Sequence, residues 1–367
     1  MKVGILTYYN VHNHGAVLQA NALKRVLEKY GCEVSFLTFD RNYDFINIEQ
    51  KNKYKISIRS IPFFINYAIQ RGIPNILFNI IKTFKLNLYR KKNFQISGRY
   101  SDFNGDYVVI GSDEVFSTEI GINHFFYGHG ISVSKIISYA ASFGPSNYDF
   151  IKKHNLINLV SSGLKNMTAV SVRDMNSCNI TEKLGVNSEI VCDPVILYGY
   201  EEEQKEYKPD IENYIVVYSY DKNMNDIDEV TSIKNFAKDK DLKIFSIGYH
   251  HKWCDKNINV TPNQLLGYVK NAKLVITDTF HGTVISLICN TNFVVKLRGN
   301  SNKLGFLLDE YRLNKRILDD FGNLKHLYTE EIDYSIVNRL LAEKRKKSID
   351  FLCKNLGLEK NGASDEK

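Results

Sequence analysis

Short apolar runs alternate with amphipathic stretches of helical period along most of the chain. "KVGILTY" precedes "GAVLQANALKRVLEKYG", whose apolar residues recur at helical spacing and whose Gly31 suits a C-cap. "CEVSFLTF" returns as a strand, followed by "YVVIGSD", "KIISYAASFG" and "TAVSVRD", then "NSCNITEKLGV" as a helix and "SEIVCDP" as a strand. Such alternation predicts a parallel sheet covered by helices on both faces.

The pattern stops at "YGYEEEQKEYKPDIEN", which is polar, acidic and without apolar period, so residues 198–213 read as a linker. It then resumes with "YIVVYSY", a helix around "VTSIKNFAKD", "LKIFSIGYH", a helix at "PNQLLGYVKNA", "KLVITDT", a helix "GTVISLICN" beginning on Gly282 and Thr283, and "FVVKLR". The expected fold class is α/β, with two Rossmann-like domains facing a cleft. Residues 1–197 form the first, 214–325 the second, and a helical segment over 326–357 packs back on the first before a disordered tail at 358–367. A chain of 367 residues fits two domains at about 150 residues each. Ligands are expected beyond the carboxyl ends of the strands.

With 44% apolar and 24% charged residues, the composition is that of a globular protein. Its apolar runs fall short of the roughly 18 residues of a membrane span. "MKVGILTYYN" enters a strand directly, without the flank and core of a signal peptide, and the cytoplasm is the expected compartment. The six cysteines are widely spaced, with no CxxC pair and no zinc spacing, so reduced thiols and no metal are expected. A net charge of +7 comes without any nucleic-acid motif, and no nucleic-acid partner is expected.

The placement of charge is more informative. From Lys51 to Tyr100 there is no Asp or Glu, while Lys51, Lys53, Lys55, Arg59, Arg71, Lys82, Lys85, Arg90, Lys91, Lys92 and Arg99 are set among aromatic and aliphatic residues. Basic helices with an apolar face suit an anionic membrane surface or a lipid-phosphate substrate. Helices packed on the domain with a solvated basic face are the plainer reading.

Several candidate site residues stand where strands end. Asn13, His14 and Gly15 lie between the first strand and helix, where free N–H groups suit an anion or a sugar hydroxyl; the turn lacks GxGxxG spacing, and Asn13 could simply cap the helix. Ser112, Asp113 and Glu114 emerge from "VVIGSDEVFS", as a carboxylate for a sugar hydroxyl or as a helix cap. Arg173 follows another strand and is a planar fork for carboxylate or phosphate, or one half of a salt bridge with Asp174 as a cap. Lys296 and Arg298 end a strand of the second domain and could face the same cleft. In "VITDTFHGTVIS", His281 can donate or accept a proton near neutrality, with Thr277, Asp278 and Thr279 in reach of its ring or of the helix start.

The ordered set "ILTYYNVHNHGAVLQANAL", "VVIGSDEVFS", "ISYAASFG", "SVRD", "VCDPVIL" and "VITDTFHGTVISL" resembles the polysaccharide pyruvyl transferase family over roughly residues 2–320. The resemblance implies a GT-B-like fold and transfer of pyruvate from phosphoenolpyruvate to two hydroxyls of a sugar, forming a cyclic ketal. It implies acceptors that are glycans or lipid-linked saccharides of bacterial surface polymers such as exopolysaccharide, and no metal or other cofactor. Where members carry Arg-Leu-His or Arg-Phe-His, this chain has Thr279-Phe280-His281, and Arg173, Lys296 or Arg298 is expected to supply the missing charge.

On this reading His281 is the general acid or phosphate partner and Asp113 or Glu114 the base. Arg173, Lys296 and Arg298 hold the anion, Ser112 and Thr279 line the site, and Asn13, His14 and Gly15 contact substrate from the opposing wall. The chain would then work in the cytoplasm, with peripheral contact at the inner face of the membrane. A GT-B-type glycosyltransferase using a nucleotide sugar is the alternative, and a carbohydrate-binding or regulatory relative without chemistry is a third.

Overall fold

The computed structural model describes residues 1–41, 69, 72–118, 121–299 and 301–359. The first domain runs through β1 (Lys2–Leu6), α1 (His14–Lys29), β2 (Glu33–Thr38), α2 (Ile73–Asn93), β3 (Ile96–Arg99), β4 (Tyr107–Ile110) and β5 (Ile136–Ser138). It continues with α3 (Tyr148–Lys153), α4 (Ile157–Lys165), β6 (Ser171–Val172), α5 (Met175–Lys183), β7 (Glu189–Ile190) and α6 (Pro194–Tyr198). The second contains β8 (Tyr214–Tyr218), α7 (Ile227–Asp239), β9 (Lys243–Ile247), β10 (Lys256–Ile258), α8 (Pro262–Lys270), β11 (Leu274–Thr277), α9 (Phe280–Ile288) and β12 (Phe293–Val295). Three helices follow, α10 (Ser301–Glu310), α11 (Leu324–Thr329) and α12 (Tyr334–Leu356).

Each domain has a five-stranded parallel sheet of the same winding, β3-β2-β1-β4-β5 and β10-β9-β8-β11-β12. Every residue of β8 is buried, as expected of an apolar strand covered on both faces. The winding reverses between β1 and β4 in one sheet and between β8 and β11 in the other. Those reversal points open crevices at the carboxyl ends of the strands. The short β6–β7 pair extends the first sheet through bridges from Ile137 to Ala169 and from Ala141 to Val172.

Local signals explain the helix ends. Asn13 accepts from the Gly15 amide at 2.9 Å to start α1, and Gly31, at φ +78°, turns the chain away after its C-cap Tyr30. Residues 199–213 contain no helix or strand. α12 packs on the first domain, where Arg345 Nε donates to the Ile196 carbonyl at 2.7 Å and the Cys192 amide donates to Ser348 Oγ at 2.9 Å. All six cysteines are free thiols. No described helix is long and apolar enough to cross a membrane.

Three cations of the basic segment depart from the expected solvated face, while Lys91, Lys92 and Arg99 keep it. Lys82 Nζ donates to the Gly248 carbonyl at 3.1 Å, Lys85 Nζ to that of Asn259 at 2.7 Å and Arg90 Nη1 to that of Val11 at 3.0 Å. α2 is thus a strap joining the domains, with Lys82, Lys85 and Arg90 turned inward because the seam presents carbonyl oxygens that an apolar side chain would leave unpaired. Burial pushes the Lys82 ammonium down to about 8. Lys51, Lys53, Lys55, Arg59 and Arg71 lie outside the described residues, as does the tail from residue 360.

Candidate active site

Loops from both reversal points close on one pocket of about 250 Å³. Asn13 comes from the turn after β1, Asp113 and Glu114 from that after β4, Tyr218 and Tyr220 from the end of β8, and Thr279, Phe280 and His281 from the turn after β11. Arg173, Tyr249 and Lys303 complete the lining. Two walls from separate domains can hold two substrates against each other.

His281 reaches across from the second domain to the first. A Cβ built on Gly15 would fall 2.3 Å from the imidazole Cγ, so the ring sits over a backbone that no other residue would leave clear. Its Nε2 is buried without a hydrogen-bond partner and lies 3.8 Å from Oδ2 of Asp193. Burial holds its pKa below the ordinary 6.5, with Asp193 and Asp113 opposing the shift and Arg173 and Lys303 adding to it. Burial therefore favours the neutral imidazole, which can accept a proton. An anionic ligand would reverse part of that shift.

Arg173 is buried and forked between two carboxylates, with Nη1 3.0 Å from Asp193 Oδ2 and Nη2 3.3 Å from Asp113 Oδ1. Its guanidinium carbon lies 4.2 Å from the centre of the Phe280 ring. Burial opposes the charge, but Asp113, Asp193 and Glu114 more than offset it and raise the pKa. Nε of Arg173 has no hydrogen-bond partner although it is buried. Across the pocket Lys303 forms an interdomain ion pair with Glu114. Asp113 holds φ +75°, a conformation that costs a non-glycine residue on the order of 1–3 kcal/mol and is concentrated at functional sites.

Other candidates are placed elsewhere. Ser112 is fully buried, its hydroxyl bonded to Gln19 Oε1 beneath the pocket. His14, expected against substrate, is also fully buried, with Nε2 3.0 Å from the Val260 carbonyl at the domain seam. Lys296 Nζ donates to the Asp319 carbonyl at 2.7 Å, and Arg298 is held by Asp278 at 2.7 Å and Glu229 at 2.9 Å; neither lines the pocket. Both cations are drawn off by acceptors on their own domain. The helix expected from Gly282 begins at Phe280, because Thr279 Oγ1 accepts from the Gly282 amide at 3.0 Å and caps it. Thr279 thus both lines the pocket and starts α9, while His281 sits in the first helical turn.

Asp193 and Lys303 were not singled out from sequence. Asp193 caps α6 through Oδ1, 2.9 Å from the Val195 amide, leaving Oδ2 for Arg173. The local signal was present in "CDP", an acid before proline at a helix start. Lys303 offered none. Among the described residues no cluster of three or more His, Cys, Asp or Glu is arranged to hold a metal ion.

Paired reversal points facing one cleft define a two-domain α/β protein of GT-B-like architecture. Solved structures share it: UDP-GlcNAc 2-epimerase of Methanocaldococcus jannaschii, in complex with UDP-GlcNAc and UDP, is 14% identical, covering 97% of this chain and 99% of its own with a TM-score of 0.51. A UDP-N-acetylglucosamine 2-epimerase matches at 9% identity, 98% and 96% coverage and TM-score 0.53, and a glycotransferase of kitacinnamycin at 12%, 98% and 99% and 0.50. At these identities the likeness concerns the fold. No curated protein matches the chain. The model of the polysaccharide pyruvyl transferase family matches residues 13–298, a span that includes every pocket residue except Lys303. The chain belongs to that family and is a transferase of polysaccharide biosynthesis.

Proposed function

We propose that the chain transfers pyruvate from phosphoenolpyruvate to two hydroxyls of a saccharide, forming a pyruvate ketal on a surface polysaccharide or its lipid-linked precursor. The observation that carries this reading is the pairing of His281 Nε2 and Arg173 Nε, both buried, both without a hydrogen-bond partner, and both on residues that line one small pocket with Lys303. Buried unpaired polar atoms are costly unless a ligand meets them. A compact anion supplies the acceptor that Arg173 Nε lacks, and a sugar hydroxyl the donor that neutral His281 can accept from.

In the reaction, a proton adds to the methylene carbon of the donor and an acceptor oxygen bonds to C2. The first hydroxyl loses its proton to neutral His281, and the imidazolium so formed, stabilised by Asp193, passes that proton to the methylene carbon, which becomes the methyl group. The second hydroxyl then bonds to C2 as the C–O bond to phosphate breaks, and its proton leaves with phosphate. Arg173 and Lys303 bear the donor's charge, Lys303 exchanging Glu114 for phosphate oxygen. Asp113 and Glu114 are the further carboxylates in reach of a hydroxyl, with Asn13 on the same first-domain wall. Closing both domains on the substrates supplies orientation and excludes water. The work is done in the cytoplasm.

A nucleotide-sugar glycosyltransferase is the second reading, favoured by structural neighbours recorded with UDP. The pocket volume of about 250 Å³ argues for the smaller donor, since drug-sized ligands take roughly 300–1,000 Å³. Phosphate release should require both phosphoenolpyruvate and saccharide, and His281→Ala should lower it by about 10²-fold or more. Release of UDP from a UDP-sugar without phosphoenolpyruvate turnover, or unchanged turnover in His281→Ala, would overturn the proposal.

A further inference from the structure

α2 is amphipathic in an inverted sense. Asn75, Phe78, Lys82, Leu86 and Arg90 are buried on its inner side, while Ile73, Leu77, Ile80, Ile81, Phe84 and Leu88 are 70%, 54%, 60%, 48%, 63% and 50% exposed. At about 3.6 residues per turn these six fall within about 100° of arc, and Lys91 continues the same stripe. Ile96, 54% exposed, extends it past the helix end. Single exposed apolar side chains are ordinary, but a continuous stripe marks a contact surface.

Charge narrows the partner. The helix carries five Lys or Arg and no Asp or Glu, and with Lys82, Lys85 and Arg90 spent on the domain seam, Lys91 and Lys92 are the exposed cations at the end of the stripe. A second copy of this helix would offer the same cations and no acid to meet them. Anionic headgroups above an apolar layer match both halves of the pattern.

We propose that the outer face of α2 docks on an anionic lipid bilayer, with its isoleucine, leucine and phenylalanine side chains at the headgroup–acyl boundary and Lys91 and Lys92 among the headgroups. A groove of about 300 Å³, lined by Tyr9, Asn10, Phe84, Leu88, Arg90 and Lys91, runs between this stripe and the turn after β1. The same turn ends in Asn13 at the candidate active site. Docking would present that groove to a lipid-linked acceptor; this consequence rests on the proposed function, whereas the docking does not.

The test is cosedimentation of the full chain with vesicles, without donor or acceptor. Binding to mixed phosphatidylglycerol–phosphatidylcholine vesicles is expected to exceed binding to phosphatidylcholine alone and to weaken with salt. Leu77→Glu with Ile80→Glu should reduce it by roughly tenfold or more, and Lys91→Glu with Lys92→Glu by about fivefold or more per lysine. Melting curves and turnover on a soluble saccharide should be unchanged for Leu77→Glu with Ile80→Glu, so failure of the proposed activity is read separately. No binding to anionic vesicles, or binding by both double variants equal to that of wild type, would overturn the proposal. So would a wild-type dimer that Leu77→Glu with Ile80→Glu dissolves while vesicle binding stays the same.

Discussion

His281 of the second domain lies directly over the α-carbon of Gly15 in the first, so close that a Cβ there would fall 2.3 Å from the imidazole Cγ. Gly15 stands in the first turn of α1, where alanine suits the helix better. Gly15→Ala therefore strikes His281 and not its own helix, and because the His281 Cβ would lie 2.4 Å from the new methyl carbon, the backbone that carries the ring has to shift. Turnover of phosphoenolpyruvate is expected to fall about 10²-fold, as for a catalytic group displaced by about 1 Å. The melting temperature should change by only a few degrees. Unchanged turnover would show that the position of His281 over Gly15 does not matter to the chemistry.

The cations of the site separate by their partners. Lys303 faces the pocket in an ion pair that substrate can replace, whereas Lys296 is tied to the Asp319 carbonyl and Arg298 to Asp278 and Glu229. A charge-assisted hydrogen bond is worth about 1.5–3 kcal/mol, so Lys303→Ala should raise the KM for phosphoenolpyruvate by roughly tenfold or more. Lys303→Arg should recover part of it, and Lys296→Ala should leave it unchanged. Equal effects at Lys296 and Lys303 would show that charge acts at a distance and not by contact.

The β-strands were legible because a strand buried on both faces is apolar at nearly every position, as "YIVVY" is. The regular alternation gave the parallel sheets and the carboxyl-end placement of Asn13, Asp113 and His281, but the strand order that sets the reversal points came from the fold. The partners of these residues were not legible. Asp193 reads locally as a helix cap, and only the fold brings Arg173 and His281 to its second oxygen. Lys303 sits in "SNKLGFLLDE" as one more polar residue, its role set by Glu114, which is distant in the chain. For α2, composition showed cations and apolar residues together but not which face turned inward. That was decided by the carbonyl oxygens of Val11, Gly248 and Asn259.

His14 gives the chain a pH-dependent stability distinct from catalysis. Burial lowers its pKa from 6.5 to about 4, Lys82 adds to the effect, and the bond to the Val260 carbonyl opposes it. The unfolded chain therefore binds a proton in a range where the folded chain does not. Stability from this residue is fully present above about pH 6.5 and is lost as pH falls toward 4, a difference of about 2 kcal/mol by pH 5 at 1.36 kcal/mol per unit. His14→Gln keeps an amide donor near Val260 but cannot titrate. Urea unfolding at pH 7.5 and pH 5 should show wild type losing more stability than His14→Gln by about that amount. If both lose the same, the pH dependence arises from other buried histidines, such as His251 and His281, whose pKa values burial also lowers.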